Sequence, residues 1–210
     1  RDIYNKPPKE NRLVNNGVAE VSEDHSEAAQ AILRYELETF VCDGQYEKGL
    51  ETILDKFLLN LDAGAEQPGV WISGFYGSGK SHLAKMLRTL WTDYQFADGA
   101  TARSLAKLPS GVFEHLKELS TQGKRHGALH AAAGKLGAGA GDKVRLALLG
   151  IVFKSKGLPE QYNQAQFVLW MQHEDILSTV EAELKAAGRS LAQELPHMYV
   201  SSHLAKALLQ

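Results

Sequence analysis

Apolar residues recur at three- and four-residue intervals from Tyr46 through Leu50, Ile53, Leu54, Phe57 and Leu58 to Leu61, while Glu47, Lys48, Glu51, Asp55 and Lys56 fill the opposite side. This pattern predicts an amphipathic helix with one face on a core and the other in water. Ahead of it, Leu33, Leu37, Phe40 and Val41 keep the same period, with Asp24 placed to cap a helix and Asp43-Gly44 to end it. Residues 1–22, with Pro7-Pro8 and Asn15-Asn16-Gly17, have no steady period and read as an extended or irregular arm. Ala63 to Pro68 is a polar turn, and Gly69-Val70-Trp71-Ile72-Ser73 then reads as a short strand. A glycine-rich loop follows, and a helical period resumes through Leu83, Met86, Leu87 and Leu90.

Further along, a loop carries Asp98-Gly99, and Ser110 to Leu119 is predicted helical through Phe113, Leu116 and Leu119. Ala128 to Ala133 reads as a small-residue strand running into a loop with Gly134, Gly137, Gly139 and Gly141. Asp142 is placed to cap a helix bearing Val144, Ala147, Leu148, Ile151 and Val152, closed by Gly157. From Pro159 onward the pattern is helical, with Leu177, Val180 and Leu184 on one face and breaks at Gly188 and Pro196. The expected organisation is an arm and helical lead-in over residues 1–65, then a partial nucleotide-binding domain over residues 66–210.

Composition sets the class. In 210 residues, 44% are hydrophobic and 23% charged, the mix of a globular protein. The longest relevant apolar run, Ala147 to Phe153, falls far short of the roughly 20 residues of a membrane helix. No charged-then-apolar leader opens the sequence, so a cytoplasmic location without membrane contact is expected. The start at Arg1 and the stop at Gln210 read as the ends of a piece of a longer protein. A lone cysteine, Cys42, excludes an internal disulfide and a cysteine-based zinc cluster.

The formal net charge of −2 excludes a polybasic coat protein but hides a gradient. Residues 1–65 carry 7 basic and 13 acidic side chains, residues 101–156 carry 10 and 3, and residues 157–210 carry 3 and 6. A basic middle between acidic flanks points to anions.

One segment carries specific chemistry. Gly74-Phe75-Tyr76-Gly77-Ser78-Gly79-Lys80-Ser81 satisfies G-x-x-x-x-G-K-S/T in full. Holding a triphosphate away from water needs backbone N–H groups wrapped around phosphate oxygens, and glycines permit the positive φ angles and close approach this requires. A helix starting near Lys80 would aim its unpaired N–H groups at the same oxygens. Lys80, the one catalytic group expected here, is placed to reach the β- and γ-phosphates, and the Ser81 hydroxyl to ligate Mg²⁺. The N–H of His82 falls on the α-phosphate side. Phe75 and Tyr76 either pack against neighbouring elements or shield the nucleotide or a partner subunit. Trp71 reads as a core residue.

Hydrolysis usually needs a further acidic residue at the end of an apolar strand. Ala147 to Phe153 is followed by Lys154, and Phe167 to Met171 reaches Glu174 and Asp175 only after Gln172 and His173. A helix cap suits Asp175 better, so the acid is expected outside this sequence. The basic side chains Arg103, Lys107, Lys117, Lys124, Arg125, Lys135, Lys143, Arg145, Lys154 and Lys156 either line a nucleic-acid groove or form a solvated surface, the latter being preferred. His126 and His130 are four residues apart but have no carboxylate close in sequence to support a metal site.

With its flanks, the loop resembles that of the large P-loop ATPases of bacterial BREX phage-defence systems, the BrxC/PglY family. Three stretches carry the likeness: Arg1-Asp2-Ile3 with Gly17-Val18, then Glu36-Leu37-Glu38-Thr39-Phe40-Val41 with the Tyr46–Leu61 stripe, and Gly69 to Leu83, including the aromatic after the first loop glycine and His82 after the serine. These cover about the first 90 residues. The resemblance implies an ATPase acting with other defence proteins against foreign DNA, and no catalytic residue here beyond the loop.

The combined expectation is an α/β fold, a P-loop NTPase core of RecA/AAA-like class that binds ATP and Mg²⁺; the full-length protein could form a homo-oligomer, but the sequence does not fix its subunit number. Its rivals are a nucleotide-gated scaffold without turnover, a kinase using the same loop, and a DNA-binding module built on residues 101–156.

Overall fold

The computed structural model describes residues 26–61, 69–136 and 143–209. The amino-terminal arm with Gly17-Val18, the Asp24 cap, the turn at 63–68, the glycines at 137, 139 and 141, and the Asp142 cap all lie outside the described residues. Contacts group the chain into two compact units, Arg1–Ala131 and Ala132–Gln210.

The first unit contains five helices among its described residues: α1 (Glu27–Glu38), α2 (Gly44–Leu61), α3 (Lys80–Trp91), α4 (Ala102–Leu105) and α5 (Ser110–Arg125). Helix α1 starts on Ser26, whose hydroxyl accepts the Ala29 N–H at 3.3 Å. It ends at Thr39, so Phe40 and Val41 fall beyond it, the former buried and the latter exposed. Helix α2 realises the stripe: Leu50 and Leu54 are fully buried, and Tyr46, Phe57 and Leu58 pack around them. Its chief neighbour is α5, which buries Val112, Leu116 and Leu119 and leaves Phe113 exposed. The stripe of α5 is thus rotated from the expected one, and the helix runs on to Arg125. Helix α3 adds Leu83, Met86 and Leu90 to the same core, and Phe57 meets Trp91 edge-on at 4.5 Å between ring centroids.

Among the described residues there is no strand and no sheet, only one isolated bridge between Gln95 and Thr101. The α/β architecture expected from the sequence, and implied by the resemblance to P-loop ATPases, is therefore corrected to an all-helical one. The run 69–73 is extended in pattern but unpaired, with Val70, Trp71 and Ile72 exposed. A strand is stable only when neighbouring strands satisfy its backbone donors and acceptors, and no described segment offers that ladder. Residues 128–133 are likewise irregular; alanines give a pleated surface little to pack with.

Arg103 ties the first unit together. Its buried guanidinium donates to the carbonyls of Leu90 (2.8 Å), Trp91 (3.0 Å) and Leu116 (2.8 Å) and to Ser120 Oγ (2.7 Å). It thereby satisfies carbonyls at the end of α3, which have no partner within that helix, and links them to α5. Asp93 accepts the Arg103 backbone N–H at 3.0 Å. Burial lowers the Arg103 pKa and nearby Asp93 opposes that shift.

The second unit comprises α6 (Val144–Ser155), α7 (Tyr162–His173), α8 (Leu177–Ala186), α9 (Leu191–Glu194), a 3-10 turn at Leu195–His197 and α10 (Ser202–Leu208). Val168, Met171, Val180, Leu184, Leu195, Leu204 and Ala207 form its core. Gly188, with φ +70°, ends α8 in a turn where the Arg189 N–H returns to the Leu184 carbonyl at 2.8 Å. Helix α6 is apolar on every side, and Val144, Leu146, Leu148, Leu149 and Val152 stay exposed. No helix among the described residues is long and apolar enough to cross a membrane.

Arg103→Ala removes charged hydrogen bonds to the carbonyls of Leu90, Trp91 and Leu116, and a hydrogen bond to a charged group contributes about 1.5–3 kcal/mol. Chemical denaturation should show a loss of about 3 kcal/mol or more. Arg103→Lys should recover little of it, because an ammonium cannot span the planar fork of acceptors.

Candidate functional site

The glycine-rich loop closes directly onto α3. Gly79 is its N-cap residue, in the left-handed region at φ +80°, and no side chain caps the helix there. Gly77 shares that region at φ +78°. Both angles disfavour any residue with a Cβ, and a Cβ at Gly79 would also collide with the Tyr46 hydroxyl. The Leu83 N–H bonds back to the Gly79 carbonyl at 2.8 Å, closing the first turn, and the Ser78 N–H meets the Phe75 carbonyl at 3.2 Å. The first N–H groups of α3 therefore emerge at the loop without a side-chain acceptor, the arrangement that suits an anion.

Lys80 folds back across the loop. Its ammonium donates to the carbonyls of Gly74 (3.0 Å) and Phe75 (2.7 Å) and approaches Ser78 Oγ at 3.4 Å. All three acceptors are neutral. The lysine's charge is thus held inside the loop by dipoles rather than by a carboxylate, and it remains available to an incoming phosphate. Ser81 follows on the first turn of α3 with its side chain exposed, where a hydroxyl could contribute one oxygen to a cation that phosphates also hold. No cluster of three or more acidic, histidine or cysteine ligands occurs among the described residues.

Beside the loop, α2 and the segment 70–75 enclose a groove of about 690 Å³, lined by Tyr46, Gly49 and Ile53 from the helix and by Val70, Ile72 and Ser73 opposite. Trp71, Phe75 and Tyr76 are 90%, 91% and 97% exposed. The expectation that Trp71 belongs to a core is corrected: without a sheet on which to lie, its ring is left in solvent. The same exposure removes packing against neighbouring described elements as an account of Phe75 and Tyr76.

His82 is half-buried and lies edge-on to Phe40, with ring centroids 5.7 Å apart. Burial lowers its pKa from the ordinary value; Glu36 pulls it upward and Lys85 reinforces the lowering. Glu36 is itself buried, with the Lys85 ammonium 2.5 Å from its Oε2. The pair is held by charge: neither carboxylate oxygen accepts a well-angled hydrogen bond among the described residues.

The remaining candidates are scattered. Glu174 and Asp175 belong to the second unit, whereas the loop belongs to the first. Asp175 sits in the turn after α7 at φ +57°, and Ile176 rather than Asp175 occupies the N-cap position of α8. Within the basic segment Arg103 is structural, Lys117 pairs with Glu114 at 3.1 Å, and Lys154 pairs with Glu160 at 2.5 Å. His126 closes α5 and His130 lies in the coil beyond it, so their spacing does not place them on one helical face. Tyr46, read from the sequence only as a member of an apolar stripe, proves to touch the loop: its hydroxyl donates to the Ser78 carbonyl at 2.6 Å.

The chain matches no protein-family model, no curated protein and no solved structure.

Cys42, buried between Phe40 and the start of α2, has its thiol pKa pushed from 9.0 up to about 11, chiefly by burial and further by Glu47, Asp43 and Glu51. The folded chain therefore keeps a proton that the unfolded chain releases near pH 9, so folding should weaken as pH rises from about 9 to 11. At pH 8 a thiol-specific disulfide reagent should modify native Cys42 far more slowly than the denatured chain, and Cys42→Ala should lack this alkaline component of the stability profile.

Proposed function

We propose that residues Gly74–Ser81 bind the phosphates of ATP·Mg²⁺, and that the chain belongs to an ATPase of a bacterial phage-defence system related to the BREX family. The observation that carries this reading is the complete phosphate-loop sequence delivered onto an uncapped helix start, with the Lys80 ammonium held within the loop by neutral oxygens only. The phosphate-binding part of the reading rests on this local geometry, and the family part on the sequence resemblance alone.

In this proposal the backbone N–H groups of Gly77, Gly79, Lys80 and Ser81 surround the β-phosphate, and Lys80 exchanges its contacts with the Gly74 and Phe75 carbonyls for β- and γ-phosphate oxygens. Ser81 supplies a hydroxyl to Mg²⁺, which neutralises part of the phosphate charge, and the His82 N–H faces the α-phosphate. The acid and any further groups for hydrolysis come from outside this sequence, and turnover drives a conformational or assembly change in partner proteins or DNA. The alternative is a nucleotide-gated scaffold, in which bound ATP sets a shape for partners without turnover. Phosphate release by the full-length protein separates the two.

For this chain, ATP with Mg²⁺ at about a hundred times its Kd should raise unfolding stability by about 2.7 kcal/mol. Lys80→Ala should abolish most of that increment while changing the nucleotide-free stability by about 0.5 kcal/mol or less, as expected of a substitution outside the core. Retained ATP-dependent stabilisation in Lys80→Ala would count against the site. Titrating ATP and GTP, each with and without Mg²⁺, then defines which nucleotide is preferred.

A further inference from the structure

We infer that Tyr46 is a positioning residue for phosphate binding: by holding the Ser78 carbonyl it sets the orientation of the Gly79 N–H, an inference that rests on the reading of Gly74–Ser81 as a phosphate site. The ring of Tyr46 leaves the first turn of α2 and packs against the core of the first unit. Its hydroxyl reaches across 32 residues of sequence to donate to the Ser78 carbonyl at 2.6 Å.

A trans peptide points its C=O and N–H in opposite directions. A Ser78 carbonyl anchored toward α2 therefore turns the Gly79 N–H away from α2. That N–H is among the donors that the loop motif assigns to phosphate, and Gly79 is the residue from which α3 departs. Rotation of this one peptide would replace a donor by a carbonyl oxygen, exchanging attraction for repulsion at an anion.

Local sequence does not lock the peptide by itself. Ser78 and Gly79 both lie in a glycine-rich loop with exposed aromatics, and Gly79 tolerates a wide range of backbone angles. The Tyr46 hydroxyl supplies the missing constraint on one side, and Lys80 on Ser78 Oγ lies on the same residue. Glycine at 79 is required twice over, by its φ of +80° and by the hydroxyl, which leaves no room for a Cβ. The contact also places α2 in the binding equilibrium, because only a correctly docked α2 presents the hydroxyl.

Tyr46→Phe removes the hydroxyl and keeps the ring. Binding of ATP·Mg²⁺, GTP·Mg²⁺ and inorganic tripolyphosphate, measured by titration calorimetry, should weaken about tenfold for all three, the size expected for one lost hydrogen bond. The thermal midpoint without ligand should fall only slightly, as for one solvent-exposed hydrogen bond, whereas a merely structural role for the hydroxyl would lower the midpoint and leave all three affinities unchanged. In the wild type, the Gly79 amide resonance should shift when tripolyphosphate is added, a measurement that does not depend on any variant folding. Equal affinities of Tyr46→Phe and wild type, with Lys80→Ala inactive in binding, would overturn the role of Tyr46 alone, as would an unmoved Gly79 resonance in a wild type that binds. A wild type that binds no tripolyphosphate overturns both this inference and the reading on which it rests.

Discussion

The docking of α3 is the constraint on which the rest depends. A phosphate-loop sequence is only a flexible run of glycines until something fixes the helix it feeds. Here Leu83, Met86 and Leu90 bury one side of α3 in the core shared with α2 and α5, and Arg103 fastens its far end. The near end is tied by Tyr46 through Ser78. The helix is thus held at its middle and at both ends, so its first N–H groups have a fixed direction before any ligand arrives, which is the condition for an oriented anion site.

The polar contacts divide into two kinds. Arg103 and the Glu36–Lys85 pair are buried and spend their charge on the protein itself, Arg103 on backbone carbonyls and Lys85 on a carboxylate. Lys80 differs from both. Its charge meets only weak, neutral acceptors at an open loop, where water or an anion can replace them. A lysine so placed has more to gain from a phosphate than one already in an ion pair, because no carboxylate has to be displaced.

The sequence was most legible where a single periodicity decides the outcome. Helices α2 and α3 follow from their stripes, because an apolar face recurring every three to four residues can be buried in one way only. Residues Phe40 and Val41 show the limit of that logic: they continue the period of α1, yet the helix ends at Thr39 and Phe40 enters the core from outside it. In α5 the period was right but the face was not, since Val112 and Phe113 compete for one position and only packing partners choose between them. The run 69–73 was illegible for a deeper reason. Its three apolar residues, Val70, Trp71 and Ile72, have strand character only in the company of other strands, so their state is not a local property. Trp71 was misplaced with them, because its burial depended on the sheet. The turn of the loop was legible, since Gly77 and Gly79 take left-handed angles and α3 starts at Lys80, as the spacing of the glycines implies.

Tyr46 was hidden by its own dual nature. Its ring satisfies the stripe of α2, so the periodicity explains the residue completely and leaves nothing to flag. The hydroxyl adds a second function that no local pattern records, because its partner is 32 residues away. A phenylalanine would have filled the same place in the stripe, so the oxygen and its partner are what the periodicity leaves out. Here that partner is the loop's backbone, so the side chain that helps to bury α2 also ties down the glycine-rich loop. The docking of α2 and the placement of Ser78 are thereby joined by one hydrogen bond in the first unit.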